Sequence, residues 1–337
     1  MTSPLEKFRV LIADSDQQLA TVSKQMLKGM GFSDIHITGS GAKALALVKT
    51  GEFDFLITDW KLKDMDGIAL INHIRRDPDS PNPTMPVIML TGRMEQSDVL
   101  TARDNGIHEY VVKPFSAQMI YDRLERIVEF PRYFVVGKQF VGPDRRHRQE
   151  NPPENDRRKK PIVPQRKPWD TARTINADSG TKVWMPDFTL KHKLGHNIAL
   201  ESIITPGVLA NAQTALEKAG SESLQWIKDD LKELKSLRKA LETEANTTPI
   251  VNEMTEVALV ISSRGGTFGY TRASEVAYML YLFCRQKIQP KNPGHITVVE
   301  KHIEVLQIIF GTNIRGDEGN IVQIIKELKN LTAKYAP

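Results

Sequence analysis

Through the first 130 residues, short apolar runs alternate with stretches whose apolar positions recur at every third and fourth residue. The runs, bounded by polar and turn residues, predict buried strands over Phe8–Ala13, Asp34–Thr38, Phe53–Thr58, Pro86–Thr91 and Glu109–Val112. The spacing between them predicts helices near 16–30, 40–50, 67–76, 95–105 and 116–130, with Gly31, Gly51 and Gly106 placed as C-caps. Strand and helix alternating in this way predict an α/β domain, a five-stranded doubly wound parallel sheet covered on both faces. In such sheets the site forms beyond the carboxyl ends of the strands.

Beyond residue 180 the pattern becomes helical throughout. Thr205 with Pro206 predicts a helix ending at Gly220, Ser221 opens the next, and Thr248 with Pro249 opens a third, each a capping hydroxyl ahead of a first turn. Leu224, Ile227, Leu231, Leu234, Leu237 and Leu241 form one apolar stripe, which reads as core. Further helices are expected over 272–288, 295–310 and 320–335, separated by Pro293 with Gly294 and by Gly316–Gly319. An all-α bundle over 181–337 follows.

Charge separates these two ends. Residues 1–130 carry a net −3, residues 131–180 a net +6 and residues 181–337 a net +2, so the overall +5 is made largely in the middle. That middle holds seven of the 19 prolines and little apolar periodicity, and is expected to be a basic, proline-rich linker. The expected plan is therefore three parts, 1–130, 131–180 and 181–337, and the length of 337 residues agrees with two domains. A composition of 40% hydrophobic and 26% charged residues is that of a globular chain. The apolar run at Tyr278–Cys284, even with Val276 and Ala277 before it, is far short of the roughly 20 residues a spanning helix needs. Met1–Arg9 lacks the apolar stretch of a signal peptide, so no membrane insertion and a cytoplasmic location are expected. The single cysteine, Cys284, excludes an internal disulfide and any multi-cysteine metal site, and its apolar neighbours give it a buried role.

Chemistry gathers at the predicted strand ends. Asp14, Ser15 and Asp16 follow the first strand, Asp59 ends the third, Thr91 ends the fourth and Lys113 follows the fifth. Carboxylates crowded at one edge repel unless a cation neutralises them, and an oxygen-lined pocket suits Mg²⁺. A carboxylate beside such a metal can attack a phosphoryl donor, which makes Asp59 the candidate nucleophile.

With these residues in place, the chain resembles the receiver domain of bacterial two-component response regulators over residues 7–130. VLIADSD is similar to that family's acidic pocket, ITDWKLKDMDG to its phosphoacceptor segment, VIMLTG to the strand with the switch hydroxyl, and EYVVKPF to the lysine–proline segment. The resemblance implies a flavodoxin-like receiver fold with Asp59 phosphorylated. It also implies Mg²⁺ held by Asp14, Asp59 and the backbone carbonyl of Lys61, and Lys113 paired with the phosphoryl group. Thr91 and Tyr110 would form the switch pair. It further implies a sensor histidine kinase or phosphotransfer protein as donor, a downstream protein partner, and no enzyme activity beyond the chain's own phosphorylation and dephosphorylation.

Two positions depart from the family pattern. Ser15 stands where an acid usually binds the metal, so affinity should fall unless Asp16 swings in to replace it. Lys63 stands where proline is usual and is expected to loosen the loop. ISSRGGTFG, residues 261–269, is weakly similar to the histidine-phosphotransfer motif, with Arg264 and Gly265 matching but Ile261 at the histidine's place, so phosphotransfer chemistry is not expected there. RGGTFGY lacks the lysine and spacing of a P-loop and reads as a turn. His192 with His196 have no third ligand nearby, and His295 with His302 lie a heptad apart on one predicted helix; both pairs read as ordinary side chains. Two alternatives to the phosphoacceptor remain open. One is a phosphorylation-independent, receiver-like scaffold, motivated by Ser15. The other is a nucleic-acid-binding regulator acting through Arg145, Arg146, Arg157 and Arg158, which ranks lower because no basic recognition helix accompanies them.

Overall fold

Five strands build the central sheet: β1 (Arg9–Ala13), β2 (Asp34–Thr38), β3 (Phe55–Thr58), β4 (Val87–Thr91) and β5 (Glu109–Val112). Their order is β2-β1-β3-β4-β5; β1 runs parallel to both β2 and β3, and β3 parallel to β4. Helices α1 (Gln17–Gly29), α2 (Gly41–Lys49), α3 (Gly67–Arg76), α4 (Gln96–Asp104) and α5 (Ala117–Glu129) connect and follow them. Val10, Leu11, Ile12, Leu56, Ile57, Val87, Ile88 and Met89 are all buried, as strands covered on both faces must be. Asp16, Ser40 and Asp66 start α1, α2 and α3, their side chains accepting first-turn N–H groups.

The computed structural model describes residues 3–145, 175–176, 181–186, 190–222, 224–286, 288–289 and 291–335. Contacts divide the chain into two units, Met1–Val111 with Ala117–Ala212, and Val112–Ser116 with Gln213–Pro337.

The first unit extends past the expected end of its domain. β6 (Phe134–Val136), β7 (Val141–Pro143), β8 (Ile175–Asn176) and β9 (Lys182–Trp184) form a second, antiparallel sheet in the order β7-β6-β9-β8. Residues 134–143, expected as linker, are thus folded. A Cβ on Gly106 would lie 2.5 Å from the Val141 carbonyl, so β7 sits where only glycine at 106 allows it. Arg145, expected among the phosphate contacts, pairs with Asp104 at 2.6 Å and lies 4.3 Å over the Phe140 ring. Arg146, Arg157 and Arg158 fall outside the described residues.

Short helices α6 (Leu190–Leu194) and α7 (Leu200–Ile203), expected in the bundle, also belong to the first unit. Leu190, Leu194 and Leu200 close over Leu5, Phe8, Phe32, Phe55, Leu124 and Val128, leaving a space of only about 10 Å³ between them. Lys191 reaches Glu129 at 2.6 Å and Lys193 reaches Asp54 at 2.7 Å. Apolar cover and two partly buried ion pairs explain why this segment packs with the sheet.

The second unit is helical, as expected: α9 (Leu224–Thr243), α10 (Thr248–Thr267), α11 (Thr271–Arg285), α12 (Pro293–Gly311) and α13 (Ile321–Lys334), preceded by α8 (Pro206–Glu222). Gly220 does not end α8, which continues to Glu222, so Ser221 lies inside a helix. Ile227, Leu231, Leu234 and Leu241 of the stripe are buried. The RGG of RGGTFGY is helical too, because Ser262 and Ser274 tie α10 to α11: the Ser262 hydroxyl donates to the Ser274 carbonyl at 3.0 Å, and the Ser274 hydroxyl to the Ser262 carbonyl at 2.8 Å. Only Phe268–Tyr270 make the turn. Ile261, at the place of the phosphotransfer histidine, is fully buried, and Arg264 is held by Asp230 at 2.6 Å. His295 and His302 are buried.

Candidate phosphoacceptor site

Strand register brings the acids together. Ala13 and Thr58 are direct partners across β1 and β3, so Asp14 and Asp59 each stand one residue beyond a shared rung. The Asp59 N–H donates to the Ala13 carbonyl at 2.8 Å, and the Asp14 N–H to the Thr38 carbonyl at 2.9 Å, which fixes both backbones. Asp14 is 3% exposed and Asp59 is half-buried. One oxygen of Asp59 accepts the Trp60 N–H at 2.5 Å, and one of Asp14 accepts the Asp16 N–H at 2.8 Å.

Asp16 does a different job from the one expected. Its carboxylate accepts the Gln18 and Leu19 N–H groups at 3.1 and 3.0 Å as the N-cap of α1. Swinging it toward a metal would uncap the helix at a cost of about 1 kcal/mol. Among the described residues no three His, Cys, Asp or Glu side chains form a metal-holding group. What remains is two carboxylates, Asp14 and Asp59, with the Lys61 carbonyl. That set fits Mg²⁺, which keeps several waters and takes one or two carboxylates.

The loop after Asp59 is held firmly, contrary to the expectation drawn from Lys63. Its N–H donates to the Gly39 carbonyl at 3.0 Å, a bond proline could not make. Next to it Asp64 accepts from the Ser40 hydroxyl and the Gly41 N–H, both at 2.6 Å. The Ser40 hydrogen bond first, and the Gly41 N–H after it, hold the Asp64 carboxyl below the usual carboxylate range. A backbone bridge between Lys61 and Asp66 closes the loop. At Gly67 a Cβ would lie 2.1 Å from the Asp59 carbonyl oxygen. Gly67→Ala should therefore cost about 3 kcal/mol through overpacking against backbone, read from the urea midpoint of unfolding.

Thr91 ends β4 and is 2% exposed; its hydroxyl oxygen accepts the Arg93 N–H at 3.4 Å. The Tyr110 hydroxyl donates to the Arg93 carbonyl at 2.8 Å, and its ring packs against the core that includes Trp60, Leu62 and Met89. The sheet end thus gathers Asp14, Asp59, Thr91 and Tyr110. Lys113 follows β5 and is buried, but the segment Val112–Ser116 is counted with the helical unit, where the Pro114 ring fills the space that a Cβ on Gly266 would need. Arg93, Asp64 and Gly67 were not singled out from sequence; Gly67 ends the quoted ITDWKLKDMDG motif, whereas nothing in the spacing marks Arg93.

The response regulator receiver domain family matches residues 10–125. Chemotaxis protein CheY-3 of Vibrio cholerae is 32% identical over 124 residues, 37% of this chain and 94% of that protein. Chemotaxis protein CheY of Pseudomonas aeruginosa is 34% identical over 121 residues, 36% of this chain and 96% of that protein. Among solved structures, a CheY-like response regulator receiver domain protein from Methanospirillum hungatei aligns at 26% identity with a TM-score of 0.31, over 35% of this chain and 91% of that one. The paired acids, the buried threonine at the end of β4 and a relative matched along nearly its whole length agree: through residues 10–125 this chain belongs to the receiver family of two-component response regulators.

Proposed function

We propose that the protein accepts a phosphoryl group on Asp59 and passes the signal on through protein contacts. The observation that carries this is the register that sets Asp14 and Asp59 side by side beyond Ala13 and Thr58. An Asp59 oxygen attacks the phosphorus of a phosphohistidine; the P–N bond breaks, and its electron pair leaves with the imidazole, which takes up a proton. Mg²⁺, held by Asp14, Asp59 and the Lys61 carbonyl, would supply positive charge between carboxylates and phosphoryl oxygens. The Thr91 hydroxyl donates to one phosphoryl oxygen and Lys113 pairs with another. Tyr110 responds to the movement of Thr91. A sensor histidine kinase or phosphotransfer protein of the cytoplasm is the donor, and a downstream protein reads the switched surface. Beyond its own phosphorylation and dephosphorylation the chain is not an enzyme.

A second reading, a scaffold that works without phosphorylation, draws on Ser15 and on the commitment of Asp16 to its cap. Incubation with acetyl phosphate and Mg²⁺ separates the two. Intact mass should rise by one phosphoryl group in the wild type and stay unchanged in Asp59→Asn. An unchanged wild type with every donor tried favours the scaffold.

A further inference from the structure

Three arginines of the first unit converge on one carboxylate at the start of β5, away from the strand ends that carry the phosphoacceptor. Nitrogens of Arg123 and Arg126 on α5 stand 3.8 and 4.0 Å from one Glu109 oxygen, and a nitrogen of Arg132, just past that helix, stands 3.7 Å from the other. None of these distances is short enough for a hydrogen bond. The Arg123 Nε atom is buried with no hydrogen-bond partner among the described residues, and the Glu109 side chain is only 13% exposed. Donors and acceptor are thus held close together but out of contact.

Charge in this cluster is not balanced. Burial first lowers the Arg132 pKa, Glu109 and Asp144 pull it up, and Arg126 lowers it again. Two carboxylates therefore face three guanidiniums, and crowded cations gain from a further anion. Water can fill the gap between them, but it cannot cancel their repulsion. A phosphate group can, because it brings nearly two negative charges and three acceptor oxygens for three guanidinium forks, where a carboxylate offers two. The way in lies beside Arg126, which is 56% exposed. One turn further on, the Phe130 N–H donates to the Arg126 carbonyl, and the Phe130 ring is 69% exposed. An aromatic face one turn from an arginine fork suits a phosphate carried on a planar base.

We propose that Arg123, Arg126 and Arg132 bind a phosphate group, free or carried by a nucleotide, with Glu109 orienting the three guanidiniums. The phosphate oxygens accept the Arg123 Nε hydrogen and N–H groups of Arg126 and Arg132. Phe130 stacks on the base when the phosphate belongs to a nucleotide. The site stands apart from Asp59 and does not depend on its phosphorylation.

The test is isothermal titration calorimetry of the full-length protein with inorganic phosphate and with AMP, in EDTA so that no Mg²⁺ bridges either ligand to Asp59. The wild type should bind phosphate. Arg126→Gln, at an exposed position that leaves the fold intact, should weaken that binding roughly tenfold, the loss of one charge-assisted hydrogen bond. Asp59→Asn should bind as the wild type does. For a nucleotide site, AMP should bind about tenfold more tightly than phosphate, and Phe130→Ala should remove that difference while leaving phosphate binding unchanged. Equal affinities for the two ligands identify the site as one for free phosphate. No heat from either ligand up to about 10 mM overturns the proposal, as does binding that Arg126→Gln leaves unchanged or that Asp59→Asn abolishes.

Discussion

Arg75→Ala should destabilise the first unit by about 4 kcal/mol, the cost of unpairing buried polar groups that one side chain satisfies together. Arg75 is 3% exposed, and its guanidinium donates to the carbonyls of Gly106, Pro83 and Met85 at 2.9, 2.7 and 2.8 Å. It also lies 5.6 Å over the Phe134 ring, which joins α3, the β4 entry, the β5 entry and β6 in one contact set. Burial pushes its pKa down to about 9, which still leaves it charged at neutral pH. Alanine strands three carbonyls away from water. Lysine at this position keeps the charge but cannot reach three acceptors in different directions, so Arg75→Lys should recover less than half of the loss. Thermal unfolding should show a fall of roughly 10 °C for Arg75→Ala. A fall of only a degree or two would mean that the second sheet is not anchored through this residue.

Mild acid should weaken both units, each through one buried histidine. His302 is fully buried on α12 with Nδ1 2.8 Å from the Val298 carbonyl and Nε2 unpaired among the described residues, and burial lowers its pKa to about 4. In the first unit, burial first, then Arg75 and Arg132, hold His108 well below the ordinary histidine value, and its Nδ1 accepts the Val87 N–H at 3.2 Å. Both folded values lie below the unfolded one of about 6.5, so the unfolded chain binds the extra protons. Stability is therefore complete above pH 6.5 and falls as the pH drops toward the folded values. For His302 the loss between pH 7.5 and 5 is about 2 kcal/mol by that linkage. Urea unfolding of His302→Leu should match the wild type within about 1 kcal/mol at pH 7.5 and exceed it by about 2 kcal/mol at pH 5. Equal pH dependence in the two proteins would show that His302 is not held neutral.

The sheet was legible because β1, β3 and β4 are short apolar runs and α1, α2 and α3 each start on a capping side chain. β1, β3 and β4 could hardly be read otherwise. The acids were legible for the same reason: residues that end parallel strands of known register must meet. What sequence hid was pairing over long distances. Strands as short as β6, β7 and β9 carry almost no periodic signal, and β6 finds β9 only after the intervening residues 137–181. The prolines and basic charge nearby pointed to a linker instead. Arg75 was not singled out, since nothing local in the sequence shows that three carbonyls surround it. Asp16 was read as a spare ligand, although its place just before the apolar periodicity of α1 is that of a cap. Lys63 was judged by the proline it replaces, whereas its backbone N–H is what fastens the loop.

The central claim is that Asp59 is the phosphoacceptor, and site mapping of the phosphorylated protein tests it most directly. Protein treated with acetyl phosphate and Mg²⁺ is reduced with borohydride, which converts an aspartyl phosphate to homoserine, and is then digested and sequenced by mass spectrometry. Homoserine at position 59 and at no other aspartate is the predicted result. Modification at Asp14, Asp16 or Asp64 in its place, or phosphate retained on a serine, threonine or histidine with Asp59 untouched, would contradict the account.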